Sequence, residues 1–233
     1  MKQSAARKLI ITRVRQQARD THSFDMRPAD GGTPLSYAPG QVAVLRVDGG
    51  RPDFYAFASA PEDRELEFLV KRSHHTKDKP TLYELKEGDA VELIEIVGDG
   101  FPLDAHKGRD LVFIAMGTGV APLRSTLRSA LRRPADFGQI VVLYGARTPA
   151  DFCYRDETET WKAAGIELRQ VISKPDGYEW AGSTGYVQSL LDNVMPTLSD
   201  PIAFVCGSPE MIAHTRDRLQ QMGLALERIL TNY

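Results

Sequence analysis

Cysteine is scarce in this chain of 233 residues, occurring only as Cys153 and Cys206. Two thiols cannot build a four-cysteine iron–sulfur centre and leave little for a disulfide framework, so a reducing, cytoplasmic setting is expected. Charge of one sign is equally lacking. With 29 basic against 31 acidic residues and no block of like charge, neither nucleic acid nor an anionic membrane is favoured as a partner. No apolar run is long enough to span a bilayer. The basic start, Met1 to Arg7, leads into the alternating Leu9-Ile10-Ile11-Thr12-Arg13-Val14 rather than into the apolar core of an export signal. His74 and His75 have no second cluster at metal-ligand spacing; a solvated loop and no metal are expected there. Repeats and low-complexity tracts are missing too, which leaves a soluble chain long enough for one large domain or two of ordinary size.

What is present divides into two periods. From residue 8 to about residue 97, short alternating runs are punctuated by turn residues, the pattern of an antiparallel barrel or sandwich. Strands are expected at Lys8 to Arg15, His22 to Arg27, Val42 to Val47, Phe54 to Ala58, Glu65 to Lys71 and Ala90 to Ile96, with a short helix over Thr81 to Leu85. Gly98-Asp99-Gly100-Phe101-Pro102 breaks this pattern, and the domain boundary is expected just after it, giving residues 1–103 and 104–233. Beyond the boundary, apolar strands alternate with helical segments, as in an open, doubly wound parallel sheet. Its five expected strands are Leu111 to Ala115, Ile140 to Tyr144, Ile166 to Ile172, Ile202 to Val205 and Arg228 to Leu230. Helices are expected at Ala121 to Arg132, Ala150 to Ala164, Thr184 to Asn193 and Pro209 to Met222. On the first of them, Arg124, Arg128, Arg132 and Arg133 mark an exposed face, read by default as solvated.

One stretch organises the second half. Gly117-Thr118-Gly119-Val120-Ala121-Pro122 joins a buried strand to a helix. Its two glycines let the turn take φ > 0 and keep side chains away from a ligand, while Pro122 pre-sets φ for the first helical turn. The free N–H groups of that helix start suit a pyrophosphate. Three other strands end in Tyr144-Gly145-Ala146-Arg147, Ser173-Lys174-Pro175 and Cys206-Gly207-Ser208-Pro209-Glu210-Met211. Small, flexible or cationic residues thus fall where an open parallel sheet gathers its ligand. Trp180-Ala181-Gly182-Ser183-Thr184-Gly185 adds another glycine-rich helix start.

The order of motifs resembles that of the ferredoxin–NADP reductase superfamily over nearly the whole chain. It runs through Ala38-Pro39-Gly40-Gln41, Tyr55-Ala56-Phe57-Ala58-Ser59-Ala60-Pro61 and Glu65-Leu66-Glu67-Phe68-Leu69-Val70-Lys71, then the Gly117 stretch and the Cys206 segment. The resemblance implies an FAD-binding antiparallel barrel followed by an NAD(P)-binding sheet. Hydride would pass from NAD(P)H to the flavin, and electrons onward to a separate protein or small molecule. In the barrel it places Asp53, Phe54, Tyr55, Ala56, Phe57, Ser59, Phe68, Val70, Lys71, Lys79 and Thr81 against FAD. In the second half it places Gly117, Thr118, Gly119, Pro122, Gly145, Arg147, Lys174, Gly207 and Met211 against the nucleotide, with a slight lean to NADH. Cys206 would lie beside the hydride path, and Tyr233 would stack on the flavin as a movable gate.

The barrel departs from the family pattern. Members carry Arg-x-Tyr-Ser/Thr, whereas this chain reads Asp53-Phe54-Tyr55-Ala56. An acid stands where a phosphate partner is expected and repels it, and Ala56 offers no hydroxyl. Lys71 and Arg72 could contact the cofactor with Arg51 as a substitute cation, and Lys79-Pro80-Thr81-Leu82 is what remains of the second phosphate motif. The departure keeps a second reading open, a regulatory or assembly subunit that retains the fold with weakened flavin binding.

Overall fold

Alternation over the first hundred residues closes into a ring of strands. The computed structural model describes residues 6–32, 35–72 and 80–232; Lys79, Tyr233 and the His74, His75 pair lie outside the described residues. The six strands are β1 Arg7–Ala18, β2 Thr21–Pro28, β3 Val42–Val47, β4 Pro52–Ala56, β5 Leu66–Lys71 and β6 Ala90–Val97. Their spatial order is β4-β3-β6-β1-β2-β5, antiparallel throughout. Two bulges in β1, at Ile11/Arg13 and Gln16/Ala18, add the twist that curling a sheet requires. The ends meet where Phe57 bridges Phe68 and the Ala58 N–H donates to the Glu67 carbonyl at 2.7 Å. That closure explains why β4 is Pro52–Ala56 rather than the expected Phe54 to Ala58: Phe57 and Ala58 leave the β3 ladder to reach β5.

Alternation in β1 and β5 sends Leu9, Ile11, Leu66, Phe68 and Val70 into one apolar core with Phe24 and Met26. Phe57 stacks there on Tyr37, ring centroids 3.9 Å apart. The opposite face of β5 is buried as well, because Leu69 joins the core of the second sheet. Phe101 does the same from the connecting segment, its ring edge-on to Phe204. The Ala38-Pro39-Gly40-Gln41 motif pins that segment. Phe101 N–H donates to Pro39 O at 2.6 Å, Gln41 Nε2 donates to Gly98 O at 2.6 Å, and any Cβ on Gly40 would sit 2.3 Å from the Phe101 ring.

The second sheet is parallel, with β7 Asp110–Met116, β8 Ile140–Ala146, β9 Glu167–Ile172, β10 Ser183–Thr184, β11 Pro201–Cys206 and β12 Ile229–Leu230. The order β10-β9-β8-β7-β11-β12 contains the five expected strands and a sixth, the two-residue β10, at the edge. Helices α1 Val120–Leu131 and α2 Thr158–Ala163 pack on one face through Leu123, Leu127 and Trp161. On the other face, α3 Leu191–Val194 and α4 Pro209–Gln221 pack through Leu191, Ile212 and Leu219. Chain order runs outward from β7 to β8, β9 and β10 on one side and returns to β11 and β12 on the other, so the junction between β7 and β11 is the topological switch point where such sheets bind ligands.

Three expectations need correction, the first being the helix over Thr184 to Asn193, where the chain instead forms β10, a 3₁₀ turn at Val187–Leu190 and the short α3. Residues 150–164 do not form one helix: Phe152, Cys153 and Tyr154 are all buried, which no single helix face allows, and Tyr154 takes φ 57°. Only Thr158–Ala163 is α-helical, after short 3₁₀ turns at Pro149–Asp151 and Arg155–Glu157. The arginine face of α1 is solvated only toward its end, where Arg132 is exposed. Arg124 is 4% exposed, Arg128 and Arg132 both pair with Asp63 of the barrel, and Arg133 pairs with Asp104. The spacing marked the face correctly, but the barrel covers most of it.

Candidate functional site

At the carboxyl ends of β7, β8 and β9 lies a cleft of about 1330 Å³. Gly117, Thr118, Gly145, Arg147, Lys174 and Met211 open onto it from the second sheet. Its far wall comes from the barrel, where the β1–β2 turn contributes Arg19 and Thr21 and β5 contributes Lys71. Lys71, expected at the flavin, therefore shares a cleft with the glycine turn. Sequence reasoning missed Arg19, since a lone arginine in a hairpin turn carries no motif.

The two glycines of the turn do different work. Gly117 takes φ 56° and a Cβ there would meet nothing within 4 Å, so it supplies a left-handed backbone and an open wall. Gly119 has an ordinary φ of −59°, but a Cβ there would lie 2.3 Å from the Cys206 carbonyl oxygen. Close packing of the β7 and β11 ends therefore requires a glycine at this position. Gly207 is less constrained, since its would-be Cβ meets the terminal methyl of Met211 at 2.3 Å, the movable end of a flexible side chain. Pro122 is buried inside the first turn of α1, where its missing N–H is one the helix leaves unpaired anyway.

Tyr144 holds the turn in place. Its buried hydroxyl donates to Gly117 O at 3.0 Å and accepts from Cys153 N–H at 3.1 Å. Burial, compounded by Cys153, pushes its phenol well above the usual tyrosine range, so the proton that holds Gly117 stays in place. The same burial pushes the Cys153 thiol up to about 11. At the helix start, Gly119 caps α1 without any side-chain hydrogen bond, and the first turn carries no acid. Val120 N–H already donates to Gly117 O, because a 3₁₀ turn over Gly117–Gly119 runs straight into α1. The amides left for an anion are those of the turn, and with exposed Arg147 and Lys174 in the same cleft the site fits a dinucleotide pyrophosphate. On the rim, Tyr178 and Tyr186 are exposed, Tyr186 by 72%, and pack in no core. Tyr186 follows Gly185 of the second glycine-rich segment, a signal that could have flagged it.

Cys206 ends β11 at the switch point and is 8% exposed. Burial pushes its thiol up to about 12, so it stays protonated at any physiological pH. On the barrel, Asp53 and Tyr55 share a face of edge strand β4. Tyr55 donates its hydroxyl to Asp53 Oδ2 at 3.3 Å, and Phe54 N–H donates to Asp53 Oδ1 at 2.8 Å. Burial and the neighbouring Asp53 charge both raise the Tyr55 phenol above its ordinary value. Phe54 is 66% exposed. The side chains of Phe57, Ser59, Phe68 and Val70 point into the interior with no face free, so only their backbone is left for a ligand. Thr81 begins a 3₁₀ turn, its N–H donating to Glu84 Oε2 at 3.2 Å.

Strand register brings the chain's end to this place. Val42 pairs with both Ala56 and Val97. Gly98, next along, has the Asn232 carbonyl oxygen 3.2 Å from its would-be Cβ. Asn232 is buried, its Oδ1 has no hydrogen-bond partner, and it lies at the same rim as Ala56 and half-buried Tyr55. An aromatic face and a free buried acceptor suit a flavin ring system, whereas Asp53 does not suit its phosphates.

Residues 113–217 match the family model described as the oxidoreductase NAD-binding domain. Ferredoxin–NADP reductase B of Sorangium cellulosum is 32% identical over 183 residues, covering 75% of this chain and 74% of that protein. Fruit protein pKIWI502 of Actinidia deliciosa is 30% identical over 212 residues, 83% of this chain but only 65% of that protein's length. Among solved structures, the Amycolatopsis cytochrome P450 reductase GcoB superposes with a TM-score of 0.83 at 28% identity, over 97% of this chain and 69% of that one. A ferredoxin NADP+ reductase from Neisseria gonorrhoeae with bound FAD and NADP shares the fold at 20% identity, with a TM-score of 0.83 and 98% of each chain covered. The chain thus belongs to the ferredoxin–NADP reductase superfamily, whose members are FAD- and NAD(P)-dependent oxidoreductases.

Proposed function

We propose that this protein passes a hydride from NAD(P)H to FAD and hands the electrons to a separate protein or small-molecule acceptor. The observation that carries the reading is the cleft, where the glycine turn and cations from both lobes converge at the switch point of the sheet. Gly117, Thr118 and the backbone amides of their turn hold the pyrophosphate, with Arg147 and Lys174 as flanking cations. The Tyr55 ring and the barrel backbone hold the flavin, which supplies the redox chemistry when bound. Cys206 gives a small neutral wall to the hydride path, and no general acid or base is required. Asn232, buried at the Tyr55 rim, supports the assignment of Tyr233 as the flavin gate. The barrel assignment is residues 1–103 and the nucleotide assignment residues 104–233.

NADH is the favoured donor. Asp176, two residues beyond Lys174, lines the same cleft and offsets the cations that an extra phosphate would need. Relatives such as the terephthalate 1,2-dioxygenase reductase component of Comamonas, at 25% identity, are named for a role beside a separate oxygenase. A reductase role of that kind is our reading here.

The test is spectroscopic. The purified protein, with FAD added if necessary, shows flavin absorption bands, and NADH bleaches them anaerobically more efficiently than NADPH does. No bands after incubation with FAD overturns the reading. Asp53 and Ala56 then favour the alternative of a regulatory or assembly subunit.

A further inference from the structure

Only one stretch of chain, residues 98–109, joins the two sheets. Lobes joined in this way move against each other unless their interface is held. Hydride transfer, on the reading above, needs reacting atoms held about 3–3.5 Å apart. Something must fix the lobes, and helix α1 is bolted to the barrel along its length. Ser125 Oγ donates to Ser59 O at 2.6 Å, Ser129 Oγ to Glu62 Oε2 at 2.8 Å, and Arg128 Nε to Asp63 Oδ2 at 2.8 Å.

Arg124 is the centre of that seam. Its Nη1 donates to Ala58 O at 2.7 Å and to Glu67 Oε2 at 2.9 Å, both in the barrel. From the other side, Nε donates to both Glu157 oxygens at 3.0 Å, and Nη2 also meets Glu157. The guanidinium lies 4.2 Å from the Tyr154 ring centroid. Tyr154 is held in its left-handed conformation with its N–H donating to barrel residue Gln17 at 2.9 Å. A planar, always charged fork is the one side chain able to satisfy three partners in one plane while stacking on a ring.

The seam adjoins both cofactor walls along the chain. Ala58 follows Tyr55 by three residues, and Arg124 follows Gly119, the residue in contact with Cys206, by five. We propose that Arg124, assisted by Ser125, is a positioning residue that sets the separation between the Tyr55 and Cys206 walls. It touches neither cofactor. This rests on the proposed hydride transfer for its consequence, while the clamp itself is testable without cofactor.

Arg124→Met keeps bulk and removes the donors, and Ser125→Ala deletes one bond from the same seam if the first variant folds poorly. Hydrogen–deuterium exchange of the cofactor-free chain should rise in residues 57–69 and 120–131 and stay unchanged in β3, which makes none of these bonds. In the FAD-loaded protein, stopped-flow reduction by NADH should slow about tenfold or more for Arg124→Met and about twofold for Ser125→Ala. FAD content and NADH affinity should stay within twofold of the parent, and Arg124→Lys should recover part of the rate. Unchanged exchange in both segments overturns the clamp. Raised exchange with parental reduction rates, or a rate lost only through weakened NADH binding, overturns the positioning role. If the parent itself is not reduced by NADH or NADPH, the proposed activity falls, and the exchange result still decides the clamp.

Discussion

The two cofactor walls are built from different materials. On the proposed reading, binding capacity in the second sheet lies in the backbone, through an open glycine, its 3₁₀ turn and strand ends at a switch point. In the barrel it lies in side chains on the edge strand β4, where one residue, Asp53, reverses the expected charge. A site made of backbone survives most substitutions, but fails when a glycine gains a Cβ. A site made of side chains can be weakened or rebuilt one residue at a time.

The sharpest break of the backbone wall is Gly119→Ala. Its Cβ would meet a carbonyl oxygen in the Cys206 backbone, which cannot swing away. We expect a loss of about 3 kcal/mol in urea denaturation and no measurable NADH binding. Gly117→Ala meets nothing, and costs only the left-handed conformation, about 1 kcal/mol. Equal effects at the two positions would mean that the contact with Cys206 does not constrain the turn.

Cys206→Ala tests the wall between the cofactors. Flavin reduction should slow about tenfold, the equivalent of about 1.4 kcal/mol, with NADH affinity unchanged. Because the thiol holds its proton up to about 12, the reduction rate should show no thiol ionisation between about pH 6 and 9. Stability carries the same signature. An unfolded thiol ionises near 9 while the folded one does not, so folding is progressively penalised above that pH. The Ala variant should lose less stability in alkali than the parent, and identical alkaline denaturation curves would refute the burial assigned to Cys206.

Tyr144→Phe probes how the open glycine is aimed. Removing the hydroxyl frees the Gly117 carbonyl and the Cys153 amide together, at about 1 kcal/mol. A roughly fivefold weaker NADH affinity with an unaltered kcat is expected, read by titration and steady-state kinetics.

This contrast also governs what could be read from the residues. Gly117, Thr118 and the strand ends at Gly145 and Lys174 were legible because glycine and cation placement at a strand end has local meaning. The purpose of Gly119 was not, since the Cys206 carbonyl lies 87 positions away in sequence. The four-residue spacing of Arg124, Arg128 and Arg132 showed a face and not its cover, although the acidic Glu62 and Asp63 supplied the complementary signal. The helix expected over residues 150–164 failed where Phe152, Cys153 and Tyr154 bury together. Barrel strands were found by alternation, but alternation cannot tell that Phe57, Ser59, Phe68 and Val70 spend their side chains on the interior.

The smallest expected effect falls on the side-chain wall. Asp53 is exposed and already accepts from Tyr55 and Phe54, so its repulsion of a phosphate is screened by solvent. Reversing the charge with Asp53→Arg should tighten FAD about threefold, the scale of an exposed ion pair, and the gain should fade in high salt. Asp53→Asn separates two causes, because it removes the charge and keeps an acceptor for Tyr55. If Asn captures most of the gain, repulsion was the defect; if only Arg does, the missing cation was. Unchanged affinity in both variants would place the phosphates elsewhere on the barrel, with Lys71 and Arg72 of the β5 end the next cations to vary.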